Sequence, residues 1–472
     1  MRCVAIITII VALLLLFSII TSSNNAPQSN RLSSDWRMPR HDAQNTHRSD
    51  AKISIDNPKI LWKKRFPNCV GPLIFKNKLY MFSYYKLYVL YLNGTLDKII
   101  EQPKLTKIIR REIIGEIGIT QTKEVLSPLV KMIIGEDGIV YGIRQSIPFP
   151  LAEKKVCVYA INQAGEVVWK TKFENVDEAE FILFNSTLYV ELSNSTIYAL
   201  DSTTGDTKWF INISSEADNQ SWCHLYPLAM DVKRETIYGK IFYLNTSSAY
   251  IYSLSINDKK LNWMIPFNHS GGVMAVGDNG IIYVPTYHGL YAINSNGSIA
   301  WVYNKTGVGD VAIGRDGTIY KWSAEEYCID YIGAYYTGAG IALSPNGTEL
   351  WRIPMGIRRY GLFNAPSIDG NGIIYFTNDE GYLYAVNPIG KIKWRFKVCN
   401  STLSSPVIGP NNTIYVVDIN GYLYAIGEKS TYAYLIAMIG GGLVVATVAV
   451  IYLFKYTKKR KRGEKNEKIN NF

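Results

Sequence analysis

The chain has 472 residues, a formal charge of +11, 13% aromatic residues, 34 tyrosines and 37 glycines. Aromatic-rich sequences punctuated by glycine favour short strands and turns, so the composition argues against a helical fold. Eight Lys or Arg and two Glu lie in residues 455–472, which places six of the eleven net charges in the last 18 residues. Because the rest of the chain has no evident basic face, the charge does not indicate a nucleic-acid-binding protein.

The N-terminus has the pattern of an export signal. A basic start precedes a nearly all-apolar run from Val4 to Ile20, which small polar residues follow. No Ala-x-Ala cleavage site stands out, so residues 1–23 are predicted to form a helix that is either a signal peptide or a signal-anchor. Residues 24–58 then form a lead-in segment.

A strand–turn–strand unit recurs along residues 59–428. It is clearest from Tyr198 to Trp209, where an alternating strand ends at Asp201, residues 203–206 form a turn, and Trp209 opens the next strand. Related units end at Trp169, Trp301 and Trp394. Self-similarity at such a spacing indicates a repeat architecture.

Counting strands around the tryptophans gives seven sets of four. They span 69–102, 129–169, 179–213, 225–267, 273–303, 311–354 and 365–398, with Lys98 in the place of the tryptophan in the first set. The last set, 404–426, has only three strands, whereas 59–66 is a tryptophan strand with none before it. If 59–66 completes the last set, the ring closes and no sheet edge is left open. We therefore predict an all-β, eight-bladed β-propeller with four-stranded antiparallel blades, closed by its N-terminal strand.

Two insertions interrupt this pattern. Residues 103–126 are charged and are predicted to contain one helix, from Ile108 to Ile119. The other insertion is aromatic and runs from Tyr327 to Tyr336.

The C-terminus has the pattern of a membrane anchor. Residues 432–454 contain no charge, which is long enough for a transmembrane helix, and five consecutive cations follow at 458–462. A buried core helix, the alternative, is not normally capped in this way. Since positive charge stays inside, residues 455–472 are predicted to be a cytoplasmic tail on a single-pass cell-membrane protein whose propeller lies outside.

Twelve Asn-x-Ser/Thr triplets agree with an outside location, because they are acceptors for N-linked glycans. They begin at Asn93, Asn185, Asn194, Asn212, Asn219, Asn245, Asn268, Asn296, Asn304, Asn346, Asn400 and Asn411. With the bias toward Ile, Tyr, Asn and Lys, they suggest a glycosylated ectodomain on an archaeal cell surface.

The cysteines are scattered and show no metal or haem spacing. Cys69 and Cys399 each follow a fourth strand beside the ring closure, where a disulfide could staple the ring. The alternative is that both remain reduced, buried thiols.

The repeat resembles the pyrroloquinoline-quinone (PQQ) type β-propeller repeat of quinoprotein alcohol dehydrogenases. Its docking motif is matched by Ala199, Asp201, Thr204, Gly205 and Trp209, and the opening segment 35–49 looks like the lead-in of that family. Shortened copies are Ala160/Asn162/Gly165/Trp169, Ala292/Asn294/Gly297/Trp301 and Ala385/Asn387/Gly390/Trp394.

The resemblance implies a structural role for the motif tryptophans, whose rings wedge between blades while the ring nitrogen bonds a neighbouring backbone. These are Trp62, Trp169, Trp209, Trp263, Trp301, Trp351 and Trp394. The resemblance also implies that a catalytic member would hold PQQ with Ca²⁺ in its central funnel and use an Asp as base. This chain lacks the adjacent cysteines of those enzymes and any haem attachment site, so we expect no cofactor.

Other chemistry is weakly indicated. His41 and His47 with Asp42 could bind a metal, but a capping loop with polar groups explains them as well. No nucleophile elbow or phosphate loop is present in the sequence.

We therefore expect a non-catalytic surface protein that binds or scaffolds envelope proteins or glycans through the funnel and the inserted segments. Tyr327, Tyr331, Tyr335 and Tyr336 are the candidate ligand contacts, unless they form an aromatic edge strand that covers the blade. A PQQ- and calcium-dependent dehydrogenase is the alternative function, and acidic and basic side chains converging on the funnel would favour it. A second alternative is a surface sensor that signals through a partner.

Overall fold

The computed structural model describes residues 35–67, 69–83, 86–101, 131–145, 154–214, 223–243, 247–267, 271–286, 288–305, 309–330, 333–358 and 364–428. Within these ranges the chain forms 33 strands, in eight separate antiparallel sheets, and no helix. Each sheet is one blade, so the prediction of an all-β, eight-bladed propeller is confirmed.

The first four blades each occupy one continuous stretch of chain. Blade 1 comprises β2 (Cys69–Phe75), β3 (Lys78–Ser83), β4 (Lys86–Tyr91) and β5 (Leu96–Glu101). Blade 2 comprises β6 (Lys131–Ile134), β7 (Val140–Gln145), β8 (Lys155–Ile161) and β9 (Val167–Glu174). Blade 3 comprises β10 (Ala179–Phe184), β11 (Thr187–Leu192), β12 (Thr196–Asp201) and β13 (Thr207–Asn212). Blade 4 comprises β14 (Cys223–Leu225), β15 (Ala229–Asp231), β16 (Thr236–Tyr243), β17 (Ser248–Ser255) and β18 (Lys260–Pro266), with β14 and β15 both paired to β16.

The next three blades follow the same order. Blade 5 comprises β19 (Ala275–Val276), β20 (Ile282–Thr286), β21 (Gly289–Ile293) and β22 (Ile299–Tyr303). Blade 6 comprises β23 (Val311–Ile313), β24 (Ile319–Asp330), β25 (Gly333–Leu343) and β26 (Glu349–Arg358). Blade 7 comprises β27 (Ser367–Ile368), β28 (Ile374–Thr377), β29 (Tyr382–Val386) and β30 (Ile392–Lys397).

Blade 8 joins the two ends of the propeller. It comprises β31 (Val407–Gly409), β32 (Thr413–Val417), β33 (Tyr422–Gly427) and, as its outer strand, β1 (Lys59–Arg65). The pairing of β1 with β33 is antiparallel and puts Trp62 opposite Ala425, the register that Trp209 has with Ala199 in blade 3. The predicted closure by the N-terminal strand is therefore confirmed.

A tyrosine on the second strand and the tryptophan on the fourth strand form the repeated core of seven blades. Their ring centroids lie 5.9–6.0 Å apart. The pairs are Tyr415–Trp62, Tyr141–Trp169, Tyr189–Trp209, Tyr238–Trp263, Tyr283–Trp301, Tyr320–Trp351 and Tyr375–Trp394. Such pairs bury large area and fix ring orientation, which explains why aromatic residues dominate this sequence.

The propeller has two unlike faces. On the turn face, first strands turn into second strands and third into fourth, as at 135–139 and 162–166, and no connection exceeds five residues. On the loop face, where 193–195 and 378–381 lie, the connections include 29 residues between β5 and β6. The β24–β25 hairpin also extends toward the loop face. The connection that contains the insertion at 103–126 therefore starts and ends on the face toward which the β24–β25 hairpin extends.

Several predictions of the sequence fall outside the described residues. They are the leader at 1–23, the helix within 103–126, the transmembrane helix at 432–454 and the tail at 455–472. Among the residues that the structure describes, no helix is long and apolar enough to cross a membrane.

Cys69 and Cys399 are free thiols in the structure. The Cys399 thiol lies 3.3 Å from the Ser401 carbonyl oxygen. The structure therefore does not contain the suggested Cys69–Cys399 disulfide, and both side chains are partly buried, not buried as the alternative expected.

Candidate functional site

The motif tryptophans dock one blade onto the next. In blade 2, the Trp169 indole Nε1 donates a hydrogen bond to the Ser202 carbonyl oxygen of blade 3 at 2.9 Å. Gly205, in the same turn, has φ +77° and lies so close to the Trp169 ring that an added Cβ would approach its carbons to 2.6 Å. The Thr–Gly turn of the motif is thus shaped by the ring that it covers.

The same donation occurs at five other tryptophans, over 2.7–2.9 Å. The pairs are Trp62 with Leu92, Trp263 with Ser295, Trp301 with Pro345, Trp351 with Pro388 and Trp394 with Ile55. Ile55 belongs to the lead-in, which takes the place of a turn where the chain is interrupted at blade 8. In blade 1 the Lys98 ammonium donates to the Gln163 carbonyl oxygen in place of an indole. Trp209, on the outer strand of blade 3, packs on Tyr189 of its own blade. The turn of blade 4 that corresponds to the Thr–Gly turn beside Trp169 is 256–259, and it contains no glycine.

The lead-in crosses the turn face and binds the innermost strand of six blades. Its backbone between Trp36 and Ser49 exchanges hydrogen bonds of 2.8–3.0 Å with those strands. Their partners there are Ile74, Ile134, Met230, Val276, Ile313 and Ile368. Innermost strands of neighbouring blades contact one another around the axis, so the lead-in covers one end of the central channel.

Four non-glycine residues of the lead-in adopt the left-handed backbone region. Their φ values are 66° at Arg40, 79° at His41, 58° at Asn45 and 53° at His47. Such conformations are costly and persist only where surrounding contacts hold them. Asn45 shows how, since its buried side-chain amide donates to the Leu228 and Met274 carbonyl oxygens at 2.9 Å each.

Beneath the lead-in lies a cavity of about 230 Å³ with mixed lining. Arg40, Lys131 and Glu180 contribute its charges, and methionine, proline and aliphatic side chains contribute most of the rest. Lys131 donates to Glu180 at 2.5 Å, and Arg40 Nε donates to the buried Asp310 at 3.2 Å. Two cations and two carboxylates therefore pair with one another at the channel.

Burial sets the protonation of these carboxyl groups. It raises the pKa of Asp310, and the positive charge of Arg40 opposes that rise. Burial likewise raises the pKa of Glu180, against the opposing charge and hydrogen bond of Lys131. Each carboxylate therefore depends on its own cation to stay ionised.

Another buried carboxyl group, that of Glu191, lies directly across the strand pair from Glu180. Burial raises the pKa of Glu191 well above its usual range, and the neighbouring Glu180 and Glu178 add to the rise, while the Tyr252 hydroxyl beside it opposes the rise. Like charges directly opposite on a sheet are unfavourable, so Glu191 is the member of the pair that holds its proton more tightly.

Replacing Glu191 with glutamine should stabilise the protein at high pH. The folded state binds this proton more tightly than the unfolded state, so its stabilisation is complete at low pH and is lost as pH rises through the folded-state pKa. We expect little change at pH 5 and a gain of about 1–3 kcal/mol at pH 8, measured by urea unfolding. The exposed Glu174→Gln is the matched control, and an equal effect of both variants would contradict the assignment.

The residues described around this channel do not fit a quinone–calcium pair. Calcium takes six to eight oxygen ligands, whereas Glu180 is the one carboxylate in the cavity lining and is bonded to Lys131. Within the described ranges, no group of three or more His, Cys, Asp or Glu side chains could hold a metal. This includes His41, His47 and Asp42. Asp42 accepts hydrogen bonds from Thr46, as expected for a capping loop.

The candidate ligand tyrosines belong to the long hairpin of blade 6. Tyr327 pairs with Tyr336 across β24 and β25, and Tyr335 pairs with Cys328, so these strands are the two inner partners of the sheet. Tyr331 lies outside the described residues. Among the described residues, β23 pairs with β24 only at 319–321, and β26 pairs with β25 no further along the hairpin than Tyr336. Tyr327 therefore lies on a part of β24 that pairs with β25 alone, and the alternative of an aromatic edge strand stays a prediction.

The glycosylation candidates within the described residues are all exposed. They are Asn93, Asn185, Asn194, Asn212, Asn296, Asn304, Asn346, Asn400 and Asn411. Asn219, Asn245 and Asn268 lie outside the described residues.

Sequence reasoning missed the channel residues Arg40, Lys131, Glu180 and Asp310. A signal was present at Glu180 and Glu191, since a charged residue inside an otherwise apolar buried strand needs a partner. Arg40 and Asp310 are 270 residues apart, and no local pattern connects them.

Comparisons with known proteins agree with this architecture. A sequence family described as outer membrane protein assembly factor BamB matches residues 151–269 and 339–431. A comparison with curated proteins finds no significant match.

Three solved structures illustrate the likeness. A europium-containing methanol dehydrogenase has a TM-score of 0.59 at 12% identity, over 84% of this chain and 99% of that one. The quinohemoprotein alcohol dehydrogenase from Comamonas testosteroni has a TM-score of 0.60 at 11% identity, over 85% and 82%. BamB from Moraxella catarrhalis has a TM-score of 0.50 at 14% identity, over 79% and 100%. At these identities the likeness establishes the fold.

Proposed function

Because this chain is a PQQ-like β-propeller repeat protein, we propose that it is a membrane-anchored cell-surface protein whose propeller binds or scaffolds envelope proteins or glycans without catalysis. The observation that carries the proposal is the channel, where the lead-in covers one end and the charged groups pair among themselves. A cofactor site needs groups that remain free for the ligand.

The solved structures of this fold include both dehydrogenases and an assembly factor, so the fold does not choose between these roles. Acidic and basic side chains do converge on the channel, a feature that favours the alternative of a PQQ- and calcium-dependent dehydrogenase. Their mutual pairing supports the binding role instead, because Lys131 and Arg40 neutralise the carboxylates that would otherwise attract calcium. A surface sensor acting through a partner stays as a second alternative.

The loop face is the proposed binding surface. The long connection between β5 and β6 starts and ends on this face, and the β24–β25 hairpin extends toward it, whereas the turn face carries short turns and the lead-in. Binding residues concentrate on loops that a rigid scaffold positions, and a propeller is such a scaffold. The location outside the membrane rests on the charge pattern of residues 432–472 and on the exposed Asn-x-Ser/Thr triplets.

The first experiment asks whether the full-length protein, purified in detergent from its native membrane, contains a quinone. We expect no quinone absorption, no quinone mass in the denatured extract, and no heat when PQQ and calcium chloride are added. Stoichiometric quinone and calcium, or tight binding of both, would overturn the proposal and establish a dehydrogenase.

A second experiment locates the binding face. Ile419 on the loop face is 60% exposed, and Ile389 on the turn face is 81% exposed, so the two positions are a matched pair for a photo-crosslinking amino acid. In intact cells, position 419 should give discrete adducts and position 389 should give none. Adducts from position 389 alone would contradict the assignment of the loop face.

A further inference from the structure

The outer strand of each blade has a free edge. In blade 5 the outer strand is β22, and it lacks the charged residues that protect the other outer strands. Free strand edges invite pairing with other chains, and proteins usually protect them with charged residues or proline. Seven of the eight outer strands described carry at least one charged residue. Strand β22 (Ile299–Tyr303) reads Ile-Ala-Trp-Val-Tyr and has neither a charge nor a proline.

The apolar residues of β22 are accessible. Ile299 is 55% exposed and Val302 is 37% exposed, while Trp301 is only half-buried by its contact with blade 6. An uncharged edge rich in β-branched and aromatic residues is a template for association of chains. The edge of blade 5 therefore needs another form of protection.

Asn-x-Ser/Thr triplets lie at both ends of this strand. Asn296 precedes it in the turn from β21, and Asn304 follows it directly. Both side chains are exposed, and the Ser298 hydroxyl donates to the Asn296 side-chain oxygen at 2.7 Å. Every other outer strand has such a triplet at one end or at neither.

We propose that N-linked glycans on Asn296 and Asn304 cover the outer edge of blade 5 and prevent it from pairing with a second copy of this chain. The inference rests on the outside location in the proposed function, because glycans are added there. Glycans are bulky and soluble, so one at each end of a five-residue strand protects the edge as charged residues protect the other outer strands. A glycosylated edge also leaves no free strand for a peptide partner.

The test removes both acceptors from the full-length protein in its native host. Asn296→Gln/Asn304→Gln is compared with Asn93→Gln/Asn346→Gln, which removes two exposed acceptors beside charged strands. The control breaks at least as many turns as the test pair, since the Thr95 and Thr348 amides donate to Asn93 and Asn346 as the Ser298 amide donates to Asn296. Mass spectrometry of glycopeptides reports occupancy, and analytical ultracentrifugation in detergent reports the protein mass.

We expect Asn296→Gln/Asn304→Gln to sediment with about twice the protein mass of the wild type or more, and the control pair to stay unchanged. Adding Ile299→Lys should return the first variant to the wild-type mass, because a charge then protects the edge. Occupied acceptors whose removal leaves the mass unchanged would overturn the inference, and so would occupancy elsewhere without occupancy at Asn296 and Asn304. Absence of glycan from every site would instead contradict the outside location.

Discussion

Trp169→Ala is expected to lower the free energy of unfolding by about 3–5 kcal/mol, the usual cost of truncating a buried tryptophan. The ring is 9% exposed and fills the junction between blades 2 and 3, against Tyr141 and Gly205. Its loss leaves a cavity that rigid sheets on either side cannot close. Urea unfolding of the detergent-purified full chain, followed by fluorescence, measures the change.

Two further variants distinguish the contribution of the ring volume to stability from that of the hydrogen bond. Trp169→Phe keeps most of the volume but loses the donation to Ser202, whose carbonyl oxygen still accepts from Tyr141 at 3.1 Å, so we expect a loss of about 1 kcal/mol beyond the volume change. Gly205→Ala changes the other side of the same contact. We expect it to lower the free energy of unfolding by about 1–3 kcal/mol, because residue 205 has a positive φ and the added methyl group would meet the Trp169 ring.

The control is Phe210→Ala, which removes a ring that is 64% exposed on the outer strand of blade 3. Its expected change is within about 0.5 kcal/mol, as for most surface positions. If Trp169→Ala costs no more than Phe210→Ala, the tryptophan does not dock the blades.

The architecture could be predicted because its determinants are local and repeated. In each blade, local sequence patterns predict the second strand, the turn from the third to the fourth strand and the outer strand. They lie within about forty residues, as in other propeller repeats. The ring closure followed from counting, since a lone strand at 59–66 matched a missing strand after 427. The substitution of Lys98 for tryptophan was also visible as a gap in the pattern.

The site could not be predicted because its contacts are distant in sequence and involve backbone groups. The lead-in has no periodicity. Residues such as Arg40 and His47 adopt the left-handed backbone region, which their residue types do not predict. Asp310 looks like one more acidic residue beside a strand. Only the closed ring brings it to Arg40 from 270 positions away.

We expect Arg40→Met to lower the free energy of unfolding strongly, because it leaves the buried Asp310 carboxylate without its cation. Breaking a buried ion pair on one side usually costs about 3–5 kcal/mol. The Val273 amide still donates to Asp310 at 2.8 Å, but a single neutral donor does not replace the charge. The lead-in would lose a point of attachment across the channel at the same time.

The loss should depend on pH in a defined direction. Burial already raises the folded-state pKa of Asp310, and removing Arg40 raises it further, so the folded variant binds a proton that the unfolded chain releases. The stabilisation from that proton is present at low pH and disappears as pH rises through the folded-state pKa. The deficit of Arg40→Met relative to the wild type should therefore be smallest near pH 5 and largest near pH 8.

Two variants identify the cause of this deficit. Arg40→Met/Asp310→Asn should recover most of the loss and its pH dependence, because the amide is neutral and its oxygen can still accept from Val273. Arg37→Met, in the same segment, breaks only the exposed pair with Glu136 and should cost less than about 1 kcal/mol. If Arg40→Met is no more destabilising than Arg37→Met at pH 8, the channel pair does not hold the lead-in across the ring, and the observation on which the binding role rests loses its physical basis.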